Sequence, residues 1–223
     1  MFDDMASFSD SSTVSAVERV YQQIRNRILE GTLEEGFPVR ERDLAADLGV
    51  SVTPVHEALV RLAAQGLVVL HPRRGAVITP ITVAEADAVL ETRNLVEGYA
   101  GERIAALADV RLTDLDARLQ TNLNEQRATF DPLDPARFLE LDAEFHGIIV
   151  GETHNPILSN LLWTSGDRLH RVRVRALRRN ATLQEQWFDD HRLMHEHLAK
   201  RDTGAYREQL RQHLDITGRW ASV

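Results

Sequence analysis

Asp142 and His146 stand four residues apart on a stretch whose apolar positions Leu139, Phe145, Ile148 and Ile149 recur at helical spacing. Both side chains therefore project from one face of a helix, where they can share a divalent ion. His191 and His195 repeat that spacing, and His213 falls in the last helical stretch. The chain contains no cysteine, so disulfides and thiolate chemistry are excluded, and a metal has to be held by histidines and carboxylates. A nitrogen and oxygen set of this kind suits zinc, with nickel or manganese as other divalent occupants. No HExxH sequence occurs, which argues against a zinc protease. On spacing alone, metal ligation and ordinary solvated or core histidines account for the pattern equally well.

Arginines supply the second candidate chemistry. The guanidinium of Arg93 can take a carboxylate in two-point fashion, or it can pair along its helix with Glu97 four residues on. Arg168, Arg171, Arg175 and Arg179 form a basic row at helical spacing. Most of that row reads as a solvated face or a contact with a second copy, with Arg171 and Arg175 as candidates to line a pocket.

The elements that must position these residues are well marked. Ser15 with Glu18, Thr82 with Glu85, and Thr182 with Glu185 have capping-box spacing, in which a hydroxyl takes one orphan amide and a carboxylate another. Asp134-Pro135 and Asn155-Pro156 each put an N-cap before a proline at the first helical position. From residue 83 to 220 the apolar spacing is helical throughout. The one β-like region is Leu67 to Leu70, a turn over His71 to Gly75, and Ala76 to Thr79, which reads as a hairpin.

Ahead of that hairpin, Glu41 to Leu48 predicts a short helix, Gly49 to Ser51 a tight turn, and Val52 to Gln65 a second helix capped by Ser51. Helix, glycine turn, helix and a hairpin with a basic tip make a winged helix-turn-helix. Arg40, Arg42, Arg61, Arg73 and Arg74 can neutralise phosphates, and Ser51 and Thr53 can donate to them.

The same residues carry a resemblance. Gly36 to Ala45, Leu48-Gly49-Val50-Ser51, Thr53-Pro54-Val55, Glu57-Ala58-Leu59, Arg61-Leu62-Ala63 and Gly66-Leu67-Val68 resemble the winged-helix domain of GntR-family bacterial transcription regulators. The resemblance implies that the helix from Val52 enters the major groove of operator DNA and that the wing, Arg73, Arg74 and Gly75, approaches the minor groove or phosphates. Relatives carry arginine where this chain has Val52 and His56. A bidentate guanine contact is thus absent twice, each worth roughly 1–3 kcal/mol of discrimination.

Arg93 with Glu97, Leu141-Asp142-Ala143-Glu144-Phe145-His146, His154 to Leu158, His191-Arg192, and Arg211-Gln212-His213-Leu214 resemble the FCD effector domain of the FadR subfamily. That resemblance implies an all-α antiparallel helical bundle in which Asp142, His146, His191 and His213 converge on a metal. His195 and His197 then read as solvated, and His154 as a capping-loop residue.

The charge is unevenly spread. The net charge is -8, which excludes a general polyanion binder. Residues 1–13 hold Asp3, Asp4 and Asp10 and no base, whereas 14–79 balance eight bases with eight acids. A neutral N-terminal segment with a local basic face fits a specific site on DNA and weak binding elsewhere. Apolar runs are far short of the roughly 20 residues of a membrane helix, and the acidic, Ser-rich start is unlike a signal peptide.

The expected protein is mainly α and cytoplasmic, with a disordered leader over 1–13, a DNA-binding domain over 14–79, and an effector-binding and dimerisation domain over 80–223. Its expected function is a homodimeric, non-enzymatic regulator whose operator affinity responds to a small carboxylate at or near a metal. The competing readings are a metal-dependent hydrolase, for which no motif places a second acid-base residue, and a regulator whose metal is purely structural.

Overall fold

A computed structural model describes residues 15–72 and 75–221. The chain divides into two compact units, the first ending at Pro80 and the second beginning at Ile81.

The first unit runs α1 (Ala16–Leu29), β1 (Pro38–Val39), α2 (Glu41–Leu48), α3 (Val52–Ala64), β2 (Val68–His71) and β3 (Gly75–Ile78). Helix α1 starts where Ser15 accepts from the Glu18 amide and buries Val20, Tyr21, Ile24 and Ile28, an i, i+4 stripe. That stripe packs on Leu44 and Ala45 of α2 and on Val55, Ala58, Leu59 and Leu62 of α3. Between α2 and α3 the chain turns at Gly49, whose φ of 67° is left-handed, a conformation that costs glycine little. The three strands form an antiparallel sheet in the order β1-β3-β2. The strand β1, too short to show an alternation, is the one element of this unit that sequence patterning does not announce.

Gly75 is required twice. Its φ is 91°, and an added Cβ would lie 2.3 Å from the Val39 carbonyl oxygen across the β1–β3 pair. Backbone geometry thus gives this position a requirement for glycine independent of any contact with DNA. Arg73, Arg74 and the 1–13 leader lie outside the described residues.

The second unit is helical among its described residues: α4 (Val83–Ala105), α5 (Asp109–Ala128), α6 (Pro135–Gly151), α7 (Pro156–Arg179), α8 (Leu183–Ala199) and α9 (Thr203–Ala221). The Thr82–Glu85 capping box is complete in both directions. Asp134 and Asn155 cap α6 and α7 ahead of their prolines. Thr182 does not behave as expected, because its hydroxyl and amide both donate to Asn180 Oδ1, at 2.7 and 3.1 Å. An Asx turn has captured the groups that a capping box needs. Ala100, Ile104, Leu119, Phe138, Phe145, Ile149, Ala176, Trp187, Met194, Tyr206 and Leu210 belong to one core. No described helix is long and apolar enough to cross a membrane.

Candidate metal and effector site

Inside that core lies a group of polar side chains. Asp142 and His146 come from α6, His191 from α8 and His213 from α9. Each offers one ligand atom, and these atoms lie within 4.8 Å of one another. All four residues are at most 1 % exposed. His191 Nε2 is 3.5 Å from Asp142 Oδ1, and His146 Nε2 is 4.0 Å from Asp142 Oδ2.

The three imidazoles turn the same nitrogen inward. His146 Nδ1 lies 2.7 Å from Glu97 Oε2, His213 Nδ1 lies 3.2 Å from Asp190 Oδ2, and His191 Nδ1 lies 2.8 Å from Gln126 Oε1. The three Nε2 atoms have no hydrogen-bond partner, and the approach of His146 Nδ1 to Glu97 Oε2 is a close charge contact without hydrogen-bond geometry. A buried polar atom left unsatisfied costs about 1–3 kcal/mol, and three of them facing a carboxylate within one core fit a divalent cation. Burial pushes the pKa of His146 and of His191 well below the usual histidine value, with neighbouring positive charge (Arg93 at His146, the other imidazoles at His191) acting in the same direction. Their imidazoles are therefore neutral at physiological pH, the form that binds metal.

Two arginines reach this group. Arg93 is 1 % exposed; its Nε donates to Glu97 Oε1 at 2.5 Å, while Nη1 and Nη2 have no hydrogen-bond partner. The pairing with Glu97 and a two-point carboxylate contact are thus compatible, since the first uses Nε and leaves both Nη groups. The other is Arg173, whose Nη2 forms an ion pair with Asp142 Oδ2. Burial lowers its pKa to about 10, against the opposing pull of Asp142. The structure favours Arg173 over the two expected pocket arginines of α7. Arg175 Nη1 donates instead to the Ile81 carbonyl at 3.0 Å, and Arg171, although buried, is sensed electrostatically by Glu85 at the start of α4. The signal for Arg173 was its place between Leu169, Val172 and Ala176, all buried on one face of α7.

The remaining histidines divide differently from expectation. His195 is not solvated: its ring is 12 % exposed and its Nε2 lies 2.7 Å from Asp116 Oδ1. His197 is half-buried. His154 is an exposed loop residue beside Asn155, with φ of 50°.

In the first unit Arg40, Arg42, Ser51, Val52, Thr53 and His56 are all exposed around α2 and the start of α3. Arg40 and Arg42 make no ion pair among the described residues. His56 Nδ1 is 2.8 Å from Glu41 Oε1, which ties its ring to the start of α2. Arg61 is engaged within the unit, donating to Glu18 Oε2 at 2.8 Å and stacking 4.0 Å above the Tyr21 ring.

A helix-turn-helix with a wing, joined to a helical unit with a buried Asp/His cluster, is the architecture of a DNA-binding transcription regulator. The comparisons with known proteins agree. Residues 16–78 match the model of bacterial regulatory proteins of the gntR family, and residues 88–216 match the FCD domain. A gluconate operon transcriptional repressor of Bacillus licheniformis is 30% identical over 188 residues, spanning 83% of this chain and 74% of the relative. The HTH-type regulator YdhC of Bacillus subtilis is 28% identical over 196 residues, 87% of this chain and 86% of YdhC. Among solved structures, a GntR transcriptional regulator from Rhodococcus sp. RHA1 superposes with a TM-score of 0.74 at 20% identity, covering 92% of this chain and 96% of that one. The chain belongs to the GntR family of transcription regulators and carries an FCD domain; it is a DNA-binding regulator and not an enzyme.

Proposed function

We propose that this regulator is controlled by a small carboxylate that binds at or near a divalent metal held by Asp142, His146, His191 and His213. The carrying observation is the coincidence, in one buried place, of three partnerless Nε2 atoms, a carboxylate and the partnerless Nη pair of Arg93. A metal there would offer open coordination positions to an anionic oxygen. Arg93 takes the far end of the acid, Glu97 orients Arg93 through Nε, and Arg173 holds Asp142. One relative is named for repressing a gluconate operon, and gluconate is a small carboxylate.

Helix α7 supplies a route from the site to the linker. Arg173 meets Asp142, while one residue before it Val172 packs on Ile81 and Ala86, and two residues after it Arg175 grips the Ile81 carbonyl. Ile81 is the first residue of the helical unit, directly after Pro80, so α7 touches both the site and the start of that unit. Operator affinity then changes only as far as the acid binds the two arrangements differently. Two copies reading a near-palindromic operator fit a single recognition helix per chain. Arg40, Arg42, Ser51 and Thr53 position α3 on phosphates, and Val52 and His56 meet base edges.

Metal analysis of the purified protein, followed by melting curves with small carboxylic acids before and after chelation, tests this reading. An acid should raise the melting temperature of the metal-loaded protein and lose that effect after chelation. A protein without stoichiometric metal, or one that chelation destabilises but no acid touches, would overturn it in favour of a purely structural or absent ion.

A further inference from the structure

The three imidazoles have unequal outer partners: carboxylates at His146 and His213, and a neutral amide at His191. An amide presents either an acceptor or a donor, so by itself Gln126 would not dictate which nitrogen of His191 carries the proton. The amide is not by itself. Gln126 Nε2 donates to Asn122 Oδ1 at 2.7 Å, and Asn122 Nδ2 donates to the Leu141 carbonyl at 3.0 Å. Asn122 is 3 % exposed, and Gln126 and His191 are fully buried.

The direction of this chain has a single fixed point. A main-chain carbonyl can only accept, so Asn122 must turn its NH2 toward Leu141 and its oxygen toward Gln126. Gln126 must then give its NH2 to that oxygen and turn its own oxygen toward His191. His191 must answer with Nδ1–H, which leaves Nε2 bare toward Asp142 and the other two imidazoles. Reversing Asn122 would set its oxygen against the Leu141 carbonyl oxygen, and reversing Gln126 would set its oxygen against Asn122 Oδ1, at the 3.0 and 2.7 Å where a donor is needed.

We infer that Asn122 and Gln126 are positioning residues that set the tautomer of His191 through a one-way relay anchored on the Leu141 carbonyl. Leu141 immediately precedes Asp142, so the backbone that carries one ligand also fixes the proton on another. The relay spans α5, α6 and α8 and acts before any metal arrives. It rests on the reading of His191 as a ligand only for its purpose, since the tautomer itself is a property of the metal-free chain.

The test is a long-range nitrogen–proton correlation spectrum of the metal-free, full-length protein with 15N-labelled histidine. His191 should show a protonated Nδ1 and a bare Nε2; a protonated Nε2 overturns the proposal without any variant. In Asn122→Leu, which touches neither the ring nor the metal site, His191 should become a mixture of tautomers. His146 and His213, whose Nδ1 partners lie outside the relay, should keep their wild-type signatures and so report an intact fold. A His191 signature unchanged in Asn122→Leu would overturn the relay. Gln126→Leu should lower zinc affinity roughly 10–100-fold, measured by competition with a chelator; unchanged affinity counts against the proposal. Failure of the metal reading would look different, with wild-type protein binding no zinc while the tautomer is still fixed.

Discussion

Asp142 is held in the metal-free chain by the Arg173 ion pair, beside His146 and His191, whose pKa values burial pushes well down. Removing the carboxylate leaves Arg173 buried without its partner, a change that typically costs about 3–5 kcal/mol. Asp142→Ala should therefore abolish zinc binding and also lower the melting temperature, while His213→Ala abolishes zinc binding at a smaller cost in stability; equilibrium denaturation with metal titration separates the two. The pH dependence has a definite sign. The folded-state pKa values of His146 and His191 are depressed, so below about pH 6.5 the unfolded chain takes up protons that the folded chain refuses, and stability falls with pH. Melting curves of metal-free protein from pH 7 to pH 5 should show that decline, and His146→Phe should flatten it. The cluster of Asp142, His146, His191 and His213 was legible because an i, i+4 pair and two later histidines matched a family pattern. Arg173, Gln126 and Asn122 were not, because their roles depend on which helices meet, and spacing within one helix is silent about that. Arg173 did leave a trace, as a charge among buried apolar neighbours on α7.

At the scale of elements, helices α4 and α7 both break the simple apolar stripe by burying charged side chains. Helix α4 buries Arg93 and Glu97 among Val89, Val96, Ala100 and Ile104. Helix α7 places Val172, Arg173 and Arg175 within one turn, where they contact Ile81, Asp142 and Ile81 again. Arg175→Ala should therefore leave acid binding within about threefold of wild type while reducing the acid-induced change in DNA affinity; equal coupling in the variant would remove α7 as the route. In the first unit Gly75→Ala should disrupt the β1–β3 pair, since the added Cβ meets the Val39 carbonyl. A loss of at least about 1–3 kcal/mol is expected, against about 1 kcal/mol for Gly49→Ala, where the added carbon meets nothing and only backbone strain remains. Capping motifs announced the starts of α1, α4, α6 and α7 because those signals are local. Strand β1 and the failure of Thr182 were hidden, the first by tertiary pairing and the second by competition from Asn180.

For the whole molecule, the net charge of -8 bears on selectivity. The acidic balance lies in the leader and the helical unit, and the described DNA-binding unit keeps Arg40 and Arg42 exposed and uncommitted to ion pairs. Few phosphate contacts mean a shallow salt dependence and weak binding to arbitrary DNA. Arg42→Ala should weaken operator and unrelated duplexes alike and reduce the salt slope by about one per bound chain. Arg61 should matter less for DNA than for the fold, because Glu18 and Tyr21 already occupy its guanidinium. The central claim is that the buried site governs DNA affinity. Fluorescence anisotropy of a labelled duplex from the DNA upstream of the chain's own gene, at fixed salt and with zinc-loaded protein, tests it by titration with small carboxylic acids. At least one acid should change Kd about fivefold or more, and the same acid should have no effect on Asp142→Ala. A Kd indifferent to every acid, or an acid effect that survives intact in Asp142→Ala, would contradict it.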